Sequence, residues 1–517
     1  MSVDKKYDVI VVGGGLSGMA TAMLLQNQGN KTLLLEAHSR LGGCAGFYRR
    51  DKFSFDIGAT TLVDFNKDGV GGNFLQKVGL QPIKDELLPG YMAWLPDRRV
   101  EVASDNTRWQ QERLKMLGDS NSHRRFWNTL DEIADTYWQA SRSGLKMPMR
   151  SFSDMYRNWK ALDFKGLMMS PYLFSSMGDL LRKNGLQNDR PLVGLLSMMI
   201  EDTVHAKVDS APLINSALGV TIRGAGLARP VGGMRGFWRQ LAKRYVEIGG
   251  TIKLNAYVNQ ISGKLGSFSV RAKKNKFQAL QVVSALPIQN TAKIASHCIG
   301  KQVRQFIERD NKALGGGIVV CIGVPENQVI NSPSGHRHHQ LLQSYERDLG
   351  NGNNMFISIS AEEDTLSAPE GFRSVMISTH CELDEWKFLN HYEYRAAKKS
   401  ITKKLITYAR RVYPALGETY KVLETGTPRT YKLFTDRFGG SIGGARLSMQ
   451  NANQRAVPYD LATPGLWMVG DTTWPGLGTV ACVIGASHVS EGVMELFRDT
   501  KLQVRSHRKG LVPSLQL

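Results

Sequence analysis

The chain has no long apolar run and few cysteines. A membrane-spanning helix needs roughly 18 consecutive apolar residues, whereas the first apolar run, Val9–Val12, is short and leads into glycines, which argues against a signal peptide. The five cysteines are far apart and lack metal-ligand spacing: Cys44, Cys298, Cys321, Cys381 and Cys482. We therefore predict a cytoplasmic protein of a reducing compartment.

Acidic residues are scarce relative to basic ones. The chain of 517 residues has 46 Asp and Glu against 66 Lys and Arg, a net charge of +20, which favours anionic partners. The basic residues are scattered, and no RNP-like, zinc-finger or basic-helix pattern is present, so nucleic acid is not predicted as a partner. An anionic membrane surface is the better candidate, although a general basic bias of the host's proteins would give the same composition.

Two common kinds of reactive site also lack support in the sequence. There is no Gly-x-Ser-x-Gly nucleophile elbow. The tract His336–His339 follows Pro333–Gly335 and has no acid or cysteine beside it, so we predict an exposed loop there and no metal ion.

The N-terminal segment Tyr7–Gly18 predicts a dinucleotide-binding turn between a strand and a helix. Gly13 permits the sharp turn after the strand, Gly15 lets the backbone approach a pyrophosphate, and Gly18 allows the helix to pack closely on the sheet. The phosphates would then lie at the positive end of the helix, which begins near Leu16.

A second apolar run supports this interpretation. Thr32–Leu35 follows the predicted helix and ends at Glu36, 18 residues after Gly18. A carboxylate at this distance is placed to accept hydrogen bonds from ribose hydroxyls. The alternative is a glycine-rich turn in an ordinary α/β unit, which does not need the acid.

Four short segments carry a family resemblance. In chain order they are Glu36–Gly46 (EAHSRLGGCAG), Phe55–Ala59 (FDIGA), Pro230–Met234 (PVGGM) and Gly470–Gly478 (GDTTWPGLG). Together they resemble the FAD-dependent carotenoid desaturase and carotenoid isomerase family of the bacterial phytoene-desaturase type, above all its end-group desaturases and carotene isomerases. Amine oxidases share the N-terminal pattern but usually have Gly-Glu in place of Gly470–Asp471.

The resemblance implies FAD as the cofactor. Gly42 and Gly43 would let the chain pass the ribityl and pyrophosphate groups, and Asp471 would bond a ribityl hydroxyl in front of a closing helix from about Val480 to Phe497; a helix-cap aspartate is the alternative. The predicted cofactor-binding residues are Gly13, Gly15, Leu16, Ser17, Gly18, Glu36, Ala37, Arg40, Gly42, Gly43, Val258, Gly470, Asp471, Gly478, Thr479 and Val480. Only one phosphate-binding turn is present, so we expect a quinone or oxygen, not NAD(P), as electron acceptor.

The predicted fold class is α/β, with a discontinuous Rossmann-like FAD-binding domain of the amine-oxidase and phytoene-desaturase type, a mixed-sheet substrate domain and a helical membrane-facing insertion. The segments are 1–80, 225–295 and 460–500 for the FAD-binding domain, 105–224 for the helical lid, 296–459 for the substrate domain and 501–517 for a basic tail. Alternating runs at Gly317–Gly323, Asn354–Ser360 and Ser374–His380 predict an antiparallel sheet in the substrate domain.

The lid contains a basic, methionine-rich stretch. Residues 143–184 have seven basic and three acidic residues and six of the 19 methionines, interleaved with aromatic residues. Flexible apolar side chains with a basic rim suit a membrane surface. A helical subdomain that packs its own core is the alternative, because methionine also fills cores.

We therefore predict a peripheral-membrane oxidoreductase that desaturates a carotenoid or related polyisoprenoid by hydride transfer to the flavin. The alternatives are cis–trans isomerisation with reduced FAD, saturation of a retinoid-like polyene, amine oxidation, and a non-enzymatic isoprenoid carrier. No catalytic side chain is evident, since the cofactor carries the chemistry. Weak candidates for an assisting role are Glu201, Asp202, His205 and Arg429, with buried polar networks as the alternative. Asp436 and Arg437 would face the cofactor pocket or form a salt-bridged loop.

Overall fold

The computed structural model describes residues 6–83, 87–221, 226–330, 332, 335–460 and 462–509, with side chains described up to residue 500. Within these residues the strands are β1 Lys6–Val12, β2 Thr32–Leu35, β3 Phe47–Arg50, β4 Phe53–Asp56, β5 Leu62–Val63, β6 Gly90–Trp94, β7 Arg99–Ala103, β8 Leu227–Ala228, β9 Thr251–Lys253, β10 Val258–Ser262, β11 Phe268–Ala272, β12 Asn275–Ser284, β13 Gly316–Pro325, β14 His338–Leu342, β15 Asn354–Ile359, β16 Phe372–Cys381, β17 Val422–Gly426 and β18 Leu466–Met468.

The α-helices of the same residues include six in succession between β7 and β8. In chain order, the α-helices are α1 Leu16–Asn27, α2 Val70–Lys77, α3 Asn106–Leu117, α4 Asn121–Arg142, α5 Phe152–Met168, α6 Met177–Lys183, α7 Arg190–Val204, α8 Leu213–Val220, α9 Gly233–Glu247, α10 Ile288–Ile294, α11 Lys301–Asp310, α12 Asp384–Lys387, α13 His391–Ala409, α14 Pro428–Thr435 and α15 Thr479–Lys509.

The first sheet contains both predicted N-terminal strands. Its order is β10-β11-β12-β1-β2-β9, and β18 also pairs with β12. β1 pairs in parallel with β2 and with β12, whereas β10 and β11 form an antiparallel extension. β2 is buried on both faces, as expected for a parallel strand between helices. The strands come from three separate parts of the chain, so the sheet is discontinuous in sequence.

The second sheet has the order β17-β13-β16-β15-β14-β6-β7. Its pairs are antiparallel except for β14 with β6, which is parallel. This confirms the predicted antiparallel pairing of the runs in β13, β15 and β16. The predicted segment 296–459 omits β6 and β7, which precede the helical lid in the chain and complete this sheet.

The tract His336–His339 is not an exposed loop, and that prediction was wrong. His338 and His339 begin β14, and both are buried. β14 lies between β15 and β6, and the His339 side chain is hydrogen-bonded to Trp94 and Tyr413, which are distant in sequence. The loop residues Pro333 and Ser334 lie outside the described residues.

The helical lid, α3–α8, packs much of its methionine and aromatic content inward. Met177, Met198 and Met199 are buried with Phe126 and Trp127 in one core cluster, as in the alternative of a self-packed subdomain. Other side chains of the predicted stretch are exposed along α5, so the lid combines a core with an apolar outer surface.

The closing helix α15 lies against the first sheet's helix α1. Val483, Ala486, Val489 and Val493 are buried in the core cluster that contains β1 and α1. Residues Thr479–Thr500 are long and apolar enough to cross a membrane, but 56% of the apolar window is buried in the protein, which is typical of a core helix. The helix continues to Lys509, into the segment predicted as a tail.

Candidate cofactor site

The turn between β1 and α1 has the geometry that its glycines predict. Gly13 has a φ of 105°, a conformation that L side chains rarely adopt. A Cβ on Gly18 would overlap with the carbonyl oxygen of Gly13, so only glycine allows α1 to approach the strand this closely. Gly15 is extended (φ −74°, ψ 177°), and a Cβ there would meet no atom within 4 Å. Open space therefore lies beside the backbone of Gly15.

A second glycine segment borders the same space. Gly42 forms an isolated parallel bridge with Gly15, and the Gly42 N–H donates to the Gly14 carbonyl at 3.0 Å. Gly42 has a φ of 136°, and Trp238 fixes the segment by donating from Nε1 to the Ala45 carbonyl at 2.7 Å. The two glycine turns thus lie directly against each other and together form one wall of a cradle beside Gly15.

The N-terminal end of α1 carries an unsatisfied polar atom. Ser17 Oγ is buried without an oxygen or nitrogen partner among the described residues, and the thiol of Cys482, a weak hydrogen-bonding group, lies against it. Buried hydroxyls normally have partners, and the first N–H groups of a helix are ready to bind an anion. The residues present therefore fit a phosphate-bearing cofactor in this cradle.

Glu36 is held at the edge of the cradle by backbone donors. Its Oε2 accepts from the Gly14 N–H at 2.6 Å and its Oε1 from the His38 N–H at 2.8 Å. Burial raises the pKa of Glu36, while these two bonds lower it. Each carboxylate oxygen keeps a lone pair for a further donor such as a ribose hydroxyl.

The other predicted residues around Glu36 differ in their surroundings. Ala37 and Arg40 are exposed, with Arg40 over the ring of Phe47. The Val258 side chain is buried in the core of the first sheet, so only its backbone is available to a cofactor. The Ala256 N–H donates to the Glu36 carbonyl at 2.8 Å, which places the start of β10 next to Glu36.

Asp471 lies in an ion pair that the sequence did not predict. Its Oδ2 is 2.8 Å from Nη2 of Arg437, and both side chains are largely buried. Arg437 also donates to the Gly443 carbonyl. A Cβ on Gly444 would overlap with the Asp471 carbonyl, so this segment packs directly on the end of β18. The 437–444 segment and Asp471 together form the far wall of the candidate site.

The N-terminus of α15 completes the site. Gly478 has a φ of 110°, and a Cβ there would meet nothing within 4 Å. Thr479 is buried, and its Oγ1 accepts from the Val63 N–H at 3.4 Å. Gly478 therefore presents its backbone to open space, as Gly15 does, and a Cβ on Gly470 would meet only the Ala285 carbonyl oxygen, at 4.0 Å, whereas Val480 packs against the core.

The segments FDIGA and PVGGM connect this site to the second sheet through hydrogen bonds and an ion pair. Asp56 is buried, accepts from the Met234 N–H at 2.9 Å and is paired with Arg229. Asp364, between β15 and β16, accepts from the Gly232 N–H at 3.0 Å. The roles of Arg229 and Asp364 could not be predicted from the sequence, because their partners are more than 100 residues away in the chain.

Of the four weak catalytic candidates, Arg429 and Asp202 are each hydrogen-bonded to a partner, whereas Glu201 and His205 lie together in a buried cluster. Arg429 donates from Nε to the Trp386 carbonyl at 2.9 Å and lies over the Tyr394 ring, contacts that join α14 to α12 and α13. Asp202 accepts from Gln340 Nε2 at 2.6 Å.

Glu201 and His205 are both buried and lie beside His380, a histidine that was not a candidate from the sequence. No cluster of three or more metal-ligating side chains occurs in the described part of the chain.

Comparison with known proteins agrees with this geometry. An NAD(P)-binding Rossmann-like domain family matches residues 11–78. The chain is similar to prolycopene isomerase 1 of an Oncidium hybrid cultivar, a chloroplastic protein (26% identity over 491 residues, 92% of this chain and 82% of that protein). It is also similar to 4,4'-diapolycopene oxygenase of Methylomonas (23% identity, 96% and 99%).

Solved structures share the whole fold. An oxidoreductase from Methanosarcina mazei has a TM-score of 0.60 at 18% identity, covering 94% of this chain and 100% of that one. A putrescine oxidase variant has a TM-score of 0.62 at 15% identity, with coverages of 95% and 99%. These likenesses confirm the predicted fold class, a discontinuous dinucleotide-binding domain joined to a mixed sheet.

Proposed function

Because this chain belongs to the family of carotenoid desaturases and isomerases, we propose that it is an FAD-dependent enzyme that desaturates a carotenoid or related polyisoprenoid. The observation that carries the proposal is the open space beside the backbones of Gly15 and Gly478, with the buried Ser17 hydroxyl, which has no oxygen or nitrogen partner among the described residues, at the start of α1. A phosphate-bearing cofactor would fill this space and satisfy that hydroxyl.

Each wall of the cradle would hold a different part of FAD. The N-terminus of α1 with Ser17 would hold the pyrophosphate, and Glu36 would accept from the adenosine ribose. Asp471, fixed by Arg437, would accept from a ribityl hydroxyl. When bound, FAD supplies two-electron redox chemistry at its ring system.

The protein's own contribution is to position the polyene and keep water out. α7 and α8 present buried Leu195, Met198, Met199 and Leu213 in the lid core, next to the second sheet. Such side chains suit a hydrocarbon chain and offer no hydrogen bonds to water. A dry site strengthens every electrostatic interaction with charge that develops during the reaction.

Cis–trans isomerisation in the same site is the second candidate function. Several chloroplastic prolycopene isomerases align with 92% of the chain at 26% identity, which favours this alternative specifically. The retinol reductase similarity covers only 18% of the chain, and the amine oxidases share the fold at low identity.

We propose that the outer face of α5 binds an anionic membrane, from which an insoluble substrate would enter. Phe152 and Phe164 are 89% and 80% exposed, and Trp159 and Met168 are exposed on the same helix. Lys165 is also exposed there. Aromatic side chains with adjacent lysines are typical of interfacial helices. For the electrons released by desaturation, we propose a membrane quinone or oxygen.

A carotenoid panel tests this function. The purified protein, reconstituted with FAD, is incubated with acyclic carotenes that differ in desaturation and in cis bonds, with oxidised or reduced flavin, and the pigments are separated by chromatography. We expect a product with a longer conjugated system when the flavin is oxidised. Products that differ only in geometry, formed only with reduced flavin, would favour the isomerase. No change in any pigment contradicts both.

A further inference from the structure

Two buried histidines lie at the rim of the candidate cofactor site. His205 directly follows α7, and His380 is near the end of β16; their ring centroids are 4.7 Å apart in an edge-to-face arrangement. Glu201, one turn earlier on α7, has its Oε1 3.8 Å from Nδ1 of His380. A helix and a strand thus bring three titratable side chains into one buried space.

This cluster contacts the segments that close the site. A Cβ on Gly443 would lie 2.9 Å from Cε1 of His205 and 3.5 Å from Cβ of Leu477. The Gly443 carbonyl accepts from Arg437, which holds Asp471. His205 is therefore adjacent both to the segment behind Asp471 and to the turn that begins α15.

Nδ1 of His205 and Nδ1 of His380 are both buried without a hydrogen-bond partner among the described residues. Two other buried histidines, His339 and His123, are bonded at both nitrogens, whereas the buried His488 is bonded only through Nε2. His339 accepts from Trp94 at 3.2 Å and is 2.8 Å from the Tyr413 hydroxyl, and His123 is similarly bonded by Ser120 and Asp189. The His205 pair therefore differs from His339 and His123, and its contact with Gly443, beside the candidate cofactor site, separates it from His488.

The charge state of His205 agrees with a role as an acceptor. Its burial, followed by the positive charge of His380, Arg446 and Arg437, holds its pKa well below the usual value. The imidazole is therefore neutral at physiological pH and keeps one ring nitrogen free to take a proton. Glu201 is the nearby negative group that would offset the charge of a protonated pair.

We propose that His205 accepts the proton released in the desaturation and that His380 and Glu201 position it, an inference that rests on the proposed function. Two C–H bonds on neighbouring carbons break and a C=C bond forms. One hydrogen leaves with its electron pair and reduces oxidised flavin by two electrons. The other leaves as a proton and bonds to the free ring nitrogen of His205.

His205→Gln tests the catalytic role. The variant should bind FAD and carotene with unchanged affinity in absorbance titrations, while the single-turnover rate falls by about 100-fold. His339→Gln is the matched control: it removes a bonded, structural histidine and should lower the unfolding midpoint without changing the rate per bound flavin. A His205→Gln rate within threefold of wild type, or a loss of FAD binding, overturns the proposal.

His380→Gln tests the positioning role and serves if His205→Gln does not fold. It removes a positive neighbour of His205, so the acid limb of the single-turnover rate should move to higher pH. An unchanged pH profile of the single-turnover rate would contradict the proposed arrangement of Glu201, Arg437 and Arg446 around His205. A wild-type protein that converts no polyene refutes the proposed function itself, whereas wild-type conversion with unaffected variants refutes only this inference.

Discussion

Gly15→Val separates cofactor binding from folding. The backbone of Gly15 is extended, with φ −74° and ψ 177°, so valine adopts it without strain. Its Cβ would meet no protein atom within 4 Å. The apoprotein should therefore fold, and the branched side chain would occupy the space that we assign to the pyrophosphate.

The magnitude follows from two separate effects. Gly15 is the N-cap of α1 and makes no side-chain cap bond, so valine costs the apoprotein about 1 kcal/mol of unfolding free energy. FAD at a hundred times its Kd stabilises the wild-type protein by about 2.7 kcal/mol. A variant that cannot bind FAD loses that stabilisation as well, so the deficit grows to about 4 kcal/mol with FAD present.

The assay is urea unfolding with and without FAD, together with flavin absorbance after gel filtration. Gly300→Val is the matched control, because Gly300 caps α11, is extended (φ −80°, ψ 176°) and also has no atom near a Cβ. The Gly300→Val protein should lose the same unfolding free energy, about 1 kcal/mol, and should still bind FAD. Gly18→Val should instead disrupt the fold, since its Cβ overlaps with Gly13. A folded Gly15→Val protein with full flavin absorbance refutes the assignment of the cradle.

Three further predictions test other parts of the account. Asp471→Ala should lower FAD affinity and turnover together, with partial rescue by excess FAD; full flavin occupancy without activity would make Asp471 a general base instead. Phe152→Ser with Phe164→Ser should weaken flotation with anionic vesicles by about 2 kcal/mol, roughly 30-fold, whereas the similarly exposed Phe388→Ser should not. Burial lowers the pKa of His339 to about 3, so the free energy of unfolding should fall by about 1 kcal/mol per pH unit as the pH drops from 6.5 towards 3. His339→Gln should remove this part of the pH dependence. An unchanged slope of the unfolding free energy against pH would contradict the assignment to His339.

The cradle could be predicted because its geometry is local. The strand, the turn at Gly13, the first turn of α1 and Glu36 all lie within one contiguous βαβ unit, where the need for glycine is set by backbone conformation. The strands β1 and β2 could be predicted for the same reason, because parallel strands buried on both faces form apolar runs.

The far wall of the site could not be predicted in the same way. The partners of Asp471 and Asp56 are Arg437 and Arg229, which reach them only through tertiary packing. The His336–His339 tract was assigned wrongly for a related reason: β14 is defined by pairing with β6 and β15, and nothing in its own sequence shows that it is covered. Sequence periodicity reports local exposure, not distant neighbours.

The most direct test of the central claim is anaerobic mixing of the FAD-loaded protein with an acyclic carotene, followed by absorbance in the flavin and polyene bands. We expect the oxidised flavin band to bleach while the polyene band moves to longer wavelength, with one flavin reduced for each double bond formed. A flavin that stays oxidised beside an unchanged polyene, together with an unchanged polyene when the flavin is reduced beforehand, would contradict the account.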